Sequence, residues 1–202
     1  MKWESVVLVC YGLNDSINHS SASGWKERYK IPTERCFYFN EEEYQFVNYY
    51  GFTPGRQACL AGIVTSTTKV IIIGHGCSRL AAGYPVDRFA RKMREIGADK
   101  AGLLAIKCCG VGQADFLERL KILLPEVGWF IAPKGYSSTQ IHKGIAHDVI
   151  TFNFDFTDLD MHKKGRKLSD KHRVKVVKGL GNASPVGSSK RYGTKKGGCV
   201  LM

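Results

Sequence analysis

The chain has 202 residues, of which 44% are hydrophobic, and it carries a formal net charge of +12. This length suits one globular domain with a sizeable core and leaves too little chain for two. Because no run of 18 uninterrupted apolar residues occurs and the amino terminus lacks a signal-peptide apolar region, the sequence predicts neither a membrane-spanning helix nor secretion.

The first third of the chain gives a short strand and several weaker patterns. An apolar run predicts a strand over residues 5–10, and the polar stretch 13–34 indicates a loop or a short helix. Residues 36–40 and 44–50 resemble the two arms of a hairpin. The stretch 53–65 opens with Pro-Gly and is interpreted as a helix.

The middle of the chain alternates between strand and helix patterns. Buried strands are predicted at 69–74, 102–107 and 128–132, since each is a short apolar run bounded by polar or glycine residues. Apolar residues recur at three and four positions in 85–96 and again in 116–124, which predicts two amphipathic helices. Strands that alternate with helices indicate a mostly parallel sheet in an α/β domain.

Beyond Pro133 the pattern changes to alternating apolar and polar residues. This predicts an antiparallel β-flap over about 133–178, appended to the sheet, which completes a domain of residues 1–180. Residues 181–202 have almost no large apolar side chain and are expected to be a disordered tail. Residues 161–202 hold 12 Lys and Arg against the single acid Asp170, so the positive charge is concentrated at this end.

Two of the predicted strands stop at side chains with catalytic chemistry. The first runs into His75 and Gly76, and the second into Cys108, Cys109 and Gly110. Because parallel strands joined by a helix end at the same edge of the sheet, the imidazole and a thiol are expected to meet there. A cysteine nucleophile with a histidine acid/base partner is the chemistry that this pairing favours, and Asp15, after the first strand, is either a turn residue or the group that orients His75.

The segments Ile-Ile-Gly-His75-Gly76, Ala-Gly-Tyr-Pro-Val-Asp and Leu-Ala-Ile-Lys-Cys108-Cys-Gly resemble caspase-like (clan CD) cysteine peptidases, most of all the self-processing protease domains of large bacterial toxins. The resemblance covers roughly residues 65–135. It implies a three-layer α/β/α caspase-like sheet, a His75–Cys108 dyad and no required cofactor. Gly76 is expected to let the substrate backbone approach His75, and the amides near Cys108, Cys109 and Gly110 are expected to form an oxyanion hole where the strand turns into the following helix.

Alternatives to this dyad remain in the sequence. Cys109 is the second candidate for the nucleophile. The order of Cys108, His142, His147 and Asp148 would also allow a papain-like arrangement, whereas Gln57-Ala58-Cys59 only imitates a caspase tripeptide because it precedes the His-Gly strand. The seven cysteines are odd in number, contain no Cys-x-x-Cys and favour free thiols, and the spacing of His75 and Cys77 with the Cys108–Cys109 pair matches no common zinc site.

The last four residues, Cys199-Val-Leu-Met, form a C-a-a-X box that predicts farnesylation of Cys199 by a host prenyl transferase. Lys190, Arg191, Lys195 and Lys196 precede it and supply the second, electrostatic signal that stable anchoring needs. These features predict the cytoplasmic face of a eukaryotic host membrane, most of all the plasma membrane. A small GTPase, which would share such a tail, is excluded because no phosphate-binding Gly-x-x-x-x-Gly-Lys-[Ser/Thr] loop occurs.

The predicted flap carries a dense set of basic residues. In the toxin domains a basic flap holds inositol hexakisphosphate, so the resemblance implies a similar activating polyanion here. Membrane contact and non-specific nucleic-acid binding are the other interpretations, although no aromatic-interleaved groove indicates specific nucleic-acid recognition. The residues concerned are Lys163, Lys164, Arg166, Lys167, Lys171, Arg173, Lys175 and Lys178.

The sequence therefore predicts a membrane-anchored cysteine protease that acts in trans on a protein of a eukaryotic cell, as a bacterial effector if the gene is bacterial. A thioester on the cysteine can also pass its acyl group to a lysine, which leaves a cysteine-dependent acyltransferase as one alternative. A membrane-tethered binding module without catalysis is the other.

Overall fold

The computed structural model describes residues 2–39, 51–142, 145–151 and 173–186. Its central element is a seven-stranded sheet in the order β12-β9-β8-β4-β1-β2-β3. Every neighbouring pair is parallel except β12, which runs antiparallel beside β9. The strands of this sheet are β1 (Ser5–Tyr11), β2 (Cys36–Phe39), β3 (Thr53–Pro54), β4 (Thr68–Ile73), β8 (Leu103–Lys107), β9 (Trp129–Pro133) and β12 (Val174–Lys178).

Helices cover both faces of this sheet. Helix α1 (Ser16–Tyr29) packs through Ala22 and Trp25 on one face, whereas α2 (Val86–Ile96) and α3 (Phe116–Leu123) pack on the other. All six residues of β4 are buried, as expected for a central strand covered on both faces. The predicted α/β class with a mostly parallel sheet is thus confirmed, and the predicted strand and helix positions in 69–132 agree with the structure to within a few residues.

Two small antiparallel sheets are added to this frame. Strands β5 (Gly76–Cys77), β6 (Leu80–Ala81) and β7 (Tyr84–Pro85) form a meander that leads directly into α2. Its second turn has positive φ at both Ala82 (51°) and Gly83 (81°), the backbone of a two-residue type I′ hairpin turn. Strands β10 (Tyr136–His142) and β11 (Ile145–Thr151) form a hairpin that contacts α1 through Thr139, whose Oγ1 lies 2.6 Å from Ser21 Oγ.

Three predicted elements differ from the structure. The helix over 53–65 is wrong: after β3 the chain makes successive turns, in which Ala58 has φ 54° and Gly62 φ 77°, values that interrupt a right-handed helix. Strand β2 pairs in parallel with β1 and not with a hairpin partner, and 44–50 lies outside the described residues. The flap over 133–178 is divided, since β10 and β11 form their own sheet while β12 joins the central one.

The folded domain extends beyond the predicted limit at residue 180. The amide of Gly181 donates to the Val127 carbonyl (3.1 Å), and Val186 donates to the Lys2 carbonyl (2.9 Å). Disorder is therefore wrong for 181–186, because backbone hydrogen bonds hold this stretch even though it contains few large apolar residues. Residues 187–202 lie outside the described part.

The close contact at Gly181 gives a stability prediction. A Cβ on Gly181 would overlap the backbone carbonyl of Glu126, which cannot move as a flexible side chain would. We expect Gly181→Ala to lower the free energy of unfolding by about 1–3 kcal/mol, the usual cost of inserting an extra carbon into a filled space. Urea unfolding measures this. The control is Asn182→Ala, because Asn182 is the exposed neighbour of Gly181, and its free energy of unfolding should stay within about 0.5 kcal/mol of wild type. If both variants were equally stable, the close contact at Gly181 would be contradicted.

Candidate active site

Three neighbouring strands end together at one edge of the sheet, which we call the rim. Strands β1, β4 and β8 lie side by side, with Cys10 paired to Ile73 and Ile73 paired to Lys107. The chain runs from β1 to β2 on one side and returns to β4 on the other, so the winding direction reverses between β1 and β4. In open α/β sheets, ligands bind beyond the carboxyl ends of the strands at this reversal.

His75 follows β4 at the rim and contacts Asp15. Its Nε2 lies 3.5 Å from Asp15 Oδ1, and the His75 side chain is 64% exposed. Asp15 also starts α1: its Oδ1 accepts hydrogen bonds from the amides of Ile17 (2.9 Å) and Asn18 (3.0 Å). One carboxylate thus caps the helix and contacts the imidazole, so the two interpretations of Asp15 are compatible with each other.

Asp15 is held in its charged form. The Asn18 amide has the largest effect and lowers the pKa of the Asp15 carboxyl, His75 and the Ile17 amide lower the pKa further, and partial burial opposes them. Asn18 is itself fixed, since its Nδ2 donates to the carbonyls of Tyr11 and Gly12 at 3.2 Å each. The turn between β1 and α1 therefore presents a fixed negative charge to His75.

Asparagine and alanine at position 15 separate these two roles. Asp15→Asn keeps a good helix cap but removes the charge, whereas Asp15→Ala removes both. We expect Asp15→Ala to lower the free energy of unfolding by about 1 kcal/mol and Asp15→Asn by only a few tenths. Both changes should slow thiol reactivity at the rim by roughly tenfold or more if Asp15 orients His75. Urea unfolding and the labelling rate with a thiol-directed activity probe measure the two effects.

The pH dependence provides the control for this pair of variants. Because the folded state lowers the pKa of Asp15, the charge stabilises the fold above the pKa of the unfolded chain, and this gain is lost as pH falls through the folded value. The stability difference between wild type and Asp15→Asn should therefore shrink in acid. A labelling rate that is unchanged in both variants would contradict a role for Asp15 at His75.

Cys108 lies in the core beneath the β5–β7 meander. It has no exposed surface, and its thiol accepts a hydrogen bond from the Ala82 amide. Burial raises the pKa of the Cys108 thiol to about 12, and the Ala82 hydrogen bond offsets only part of this effect. Cys108 belongs to the apolar cluster under α2 and α3, so it has the surroundings of a structural cysteine in this conformation.

Cys109 is partly exposed and faces the other side of the sheet. Its Sγ accepts from the Ser137 amide at 3.4 Å and lies at the same distance from the Ser137 carbonyl, to which the thiol donates. Ser137 belongs to β10, the strand that packs on α1. Cys109 therefore lies on the α1 side of the sheet, the side from which Asp15 contacts His75.

The strand register explains this placement. Side chains alternate between faces along a strand. On β8, Ile106 packs under α2 and α3, and Lys107 Nζ lies 4.2 Å from the Trp25 ring of α1. The pairing ends at Ile73 and Lys107, and beyond it Gly76 packs against Cys108, while His75 and Cys109 each follow their strand by two residues. The alternation of side chains can be read from the sequence, but the pairing of β4 with β8, which decides which residues are neighbours, was not predicted.

The glycines at the rim have structural tasks that differ from those expected. A Cβ on Gly76 would lie 2.7 Å from both Cys108 Cβ and the Leu80 carbonyl oxygen, so the space beside Gly76 holds protein and not substrate. Gly110 turns the chain with φ 68°, and its amide donates to the Gly135 carbonyl at 2.8 Å. The expected oxyanion role of the Gly110 amide is therefore wrong in this conformation. Helix α3 begins only at Phe116, so its N-terminus does not directly follow the cysteine pair.

Most of the predicted polyanion and membrane residues lie outside the described part of the chain: Lys163, Lys164, Arg166, Lys167, Lys171, Lys190, Arg191, Lys195, Lys196 and Cys199. Of the three flap residues that are described, Arg173 precedes β12, whereas Lys175 and Lys178 lie on it. Lys175 Nζ contacts Glu118 Oε1 at 2.8 Å and also donates to the Ala114 carbonyl. Its charge is therefore already paired with α3.

The alternative residues named from the sequence lie on other elements than His75. Cys59 lies in the turns after β3, where the Ala58 amide donates to the Glu95 carbonyl near the end of α2. His142 ends β10, while His147 and Asp148 belong to β11, in a sheet separate from the central one. Among the described residues, no group of three His, Cys, Asp or Glu side chains is arranged to hold a metal ion.

Within the described ranges, none of the helices is long and apolar enough to span a bilayer. Comparisons with protein-family models, curated proteins and solved structures find no match to this chain.

Proposed function

We propose that this chain is a cysteine protease in which Cys109 is the nucleophile, His75 is the acid/base and Asp15 orients His75. The observation that supports the proposal is the contact of Asp15 with His75 at 3.5 Å, together with a Cys109 thiol that follows β8 and contacts Ser137 of β10, the strand that packs on α1. Cys109 is partly exposed while Cys108 has no exposed surface, which favours Cys109 as the group that meets a substrate.

The proposed chemistry uses these three side chains in order. His75 takes the proton of the Cys109 thiol, and the sulfur attacks the substrate carbonyl carbon to form an S–C bond. The C–N bond then breaks as His75 returns the proton to the leaving amine, which leaves a thioester on Cys109. His75 then takes a proton from water, whose oxygen attacks the thioester carbon; the C–S bond breaks, the carboxylic acid leaves, and His75 returns the proton to the Cys109 sulfur. The Asp15 carboxylate, which contacts His75 Nε2, stabilises the imidazolium that forms when His75 carries the second proton.

Proteolysis is favoured over acyl transfer by the resemblance of the His-Gly and Cys-Gly strand ends to caspase-like peptidases, and the α/β sheet is compatible with that fold. Transfer of the thioester to a lysine amine is the alternative with the same residues. A binding module on a peptidase-like frame is the second alternative. The protein is proposed to act on a cytosolic or membrane-associated protein of a eukaryotic cell, to which Cys199 and the basic tail anchor it.

The test combines probe labelling with product analysis. We expect wild type to react with a thiol-directed activity probe and His75→Ala to react at least tenfold more slowly, because the imidazole no longer accepts the thiol proton. Mass spectrometry of proteins from expressing cells then separates the reactions, since new amino termini indicate proteolysis and acylated lysines indicate transfer. Equal labelling of wild type and His75→Ala, with neither product present, would favour the binding module.

The proposed polyanion activator rests on the resemblance alone. Inositol hexakisphosphate, held by the basic residues between β11 and β12, is proposed to raise the activity at Cys109. Lys175 is left out of the set because Glu118 already pairs with it. The labelling rate with and without inositol hexakisphosphate tests this activation, and an unchanged rate over a concentration series would refute it.

A further inference from the structure

The last described segment of the chain crosses the edge of the sheet opposite the rim. The Gly179 amide donates to the Gly128 carbonyl (2.7 Å), just before β9 begins. Further along, Ser184 donates to the Ser66 carbonyl (2.9 Å) before β4, and Val186 donates to the Lys2 carbonyl (2.9 Å) before β1. Residues 179–186 thus form a strap, which passes beneath β9, β4 and β1 at their amino ends.

The strap and the candidate site lie at opposite ends of the same strands. His75 and Cys109 follow the carboxyl ends of β4 and β8, whereas the strap contacts the turns that precede these strands. Strands of five to seven residues separate the two edges, which is about 20 Å at 3.3 Å per residue. The chain therefore leaves the described fold at the edge farthest from the site.

If Cys199 is fixed at a membrane, the tail is too short to let the rim turn fully towards that membrane. Residues 187–198 lie between the strap and Cys199, and twelve residues span at most about 43 Å when fully extended. A domain of this length has a radius of gyration of about 16 Å, which corresponds to a sphere roughly 40 Å across. Half of its circumference is about 65 Å, more than the tail can cover.

We infer that the anchored protein turns the strap edge towards the lipid surface and holds the His75–Cys109 rim away from it. This inference rests on the proposed anchor at Cys199. Its consequence concerns the substrate: the rim cannot be turned fully onto the lipid headgroups, so it meets protein segments that stand off the bilayer. The expected substrate is thus the distal, cytosolic part of a membrane-associated protein.

Energy transfer from two labelled positions to the membrane tests this orientation. Cys77, exposed in β5 next to His75, carries a donor dye at the rim in a Cys59→Ser, Cys109→Ser background. For the strap edge, Lys100→Cys carries the same dye in a background that also has Cys77→Ser, because Lys100 is exposed in the turn before β8. Both proteins are farnesylated enzymatically and bound to phosphatidylserine–phosphatidylcholine vesicles that contain an acceptor on the lipid headgroups.

We expect clearly stronger energy transfer from position 100 than from Cys77, since the two labels differ by about 20 Å in height. Transfer from Cys77 that equals or exceeds that from position 100 would overturn the orientation while leaving the anchor intact. Sedimentation with the vesicles is measured first and separates the two claims. If the farnesylated protein stays in the supernatant, the anchor is refuted and the orientation with it, whereas the proposed chemistry of Cys109 is tested separately by probe labelling of wild type.

Discussion

Cys109→Ala is expected to lower labelling by a thiol-directed activity probe, and any proteolysis, by at least about 10³-fold, whereas Cys108→Ala should keep both within a few-fold. The reason is the side of the sheet on which each thiol lies. Cys109 is partly exposed on the side of His75 and Asp15, while Cys108 is fully buried and its pKa is raised to about 12 by that burial. Labelling rates of the two variants and the mass of the labelled peptide measure the effect.

Two controls make this comparison specific. Cys77→Ala removes another exposed thiol near the rim and should leave activity-probe labelling unchanged. Cys108→Ala should cost about 1 kcal/mol of stability from lost apolar burial, so it is compared below its melting transition. Loss of activity in Cys108→Ala with full activity in Cys109→Ala would assign the nucleophile to Cys108 and require the β5–β7 meander to open.

Cys199→Ser is expected to move most of the protein from membranes to the soluble fraction. The variant loses the lipid and keeps four basic tail residues, each worth about 1 kcal/mol at an anionic surface. Roughly 4 kcal/mol of screened attraction retains the protein only weakly at physiological salt. Membrane fractionation of expressing cells measures the shift, and identical distributions of wild type and Cys199→Ser would refute the anchor.

The basic tail provides the matched variant for the lipid. Neutral substitutions at Lys190, Arg191, Lys195 and Lys196 keep the prenyl group but remove the attraction to anionic lipid. We expect this protein to remain on membranes but to redistribute from the plasma membrane to internal ones. Neither change should alter the labelling rate of Cys109 in purified protein, because residues 187–198 have almost no large apolar side chain with which to join the core. A slower labelling rate in either variant would show that the tail contributes to the site.

The parts of the fold that were predictable are those in which local pattern and tertiary packing agree. Strand β4 is apolar throughout because both its faces are buried, and α2 repeats its apolar residues at helical spacing because one of its faces covers the sheet. The turn region 53–65 was not predictable in this way. The positive φ of Ala58 depends on the contact of its amide with Glu95, far along the chain.

Helix α1 shows a second limit of sequence patterns. Its buried Asn18, Ala22 and Trp25 follow helical spacing, but Asn18 is polar and the apolar Ile17 is exposed, so the sequence shows no clear apolar stripe. The helix is fixed by the Asp15 cap and by its contacts with β1 and the β10–β11 hairpin. The role of Asp15 beside His75 depends on these contacts, so the sequence offered it only as one of two interpretations.

The sequence by itself determined that an imidazole and a thiol reach the same edge of the sheet, because parallel strands joined by helices end on one side. Only the tertiary structure decided which of the two thiols is buried and which is partly exposed. Side chains alternate along a strand, so a shift of one residue exchanges Cys108 for Cys109, and the register is set by how β4 and β8 pack into the core. The same holds for the strap, whose position opposite the rim depends on hydrogen bonds to three distant turns.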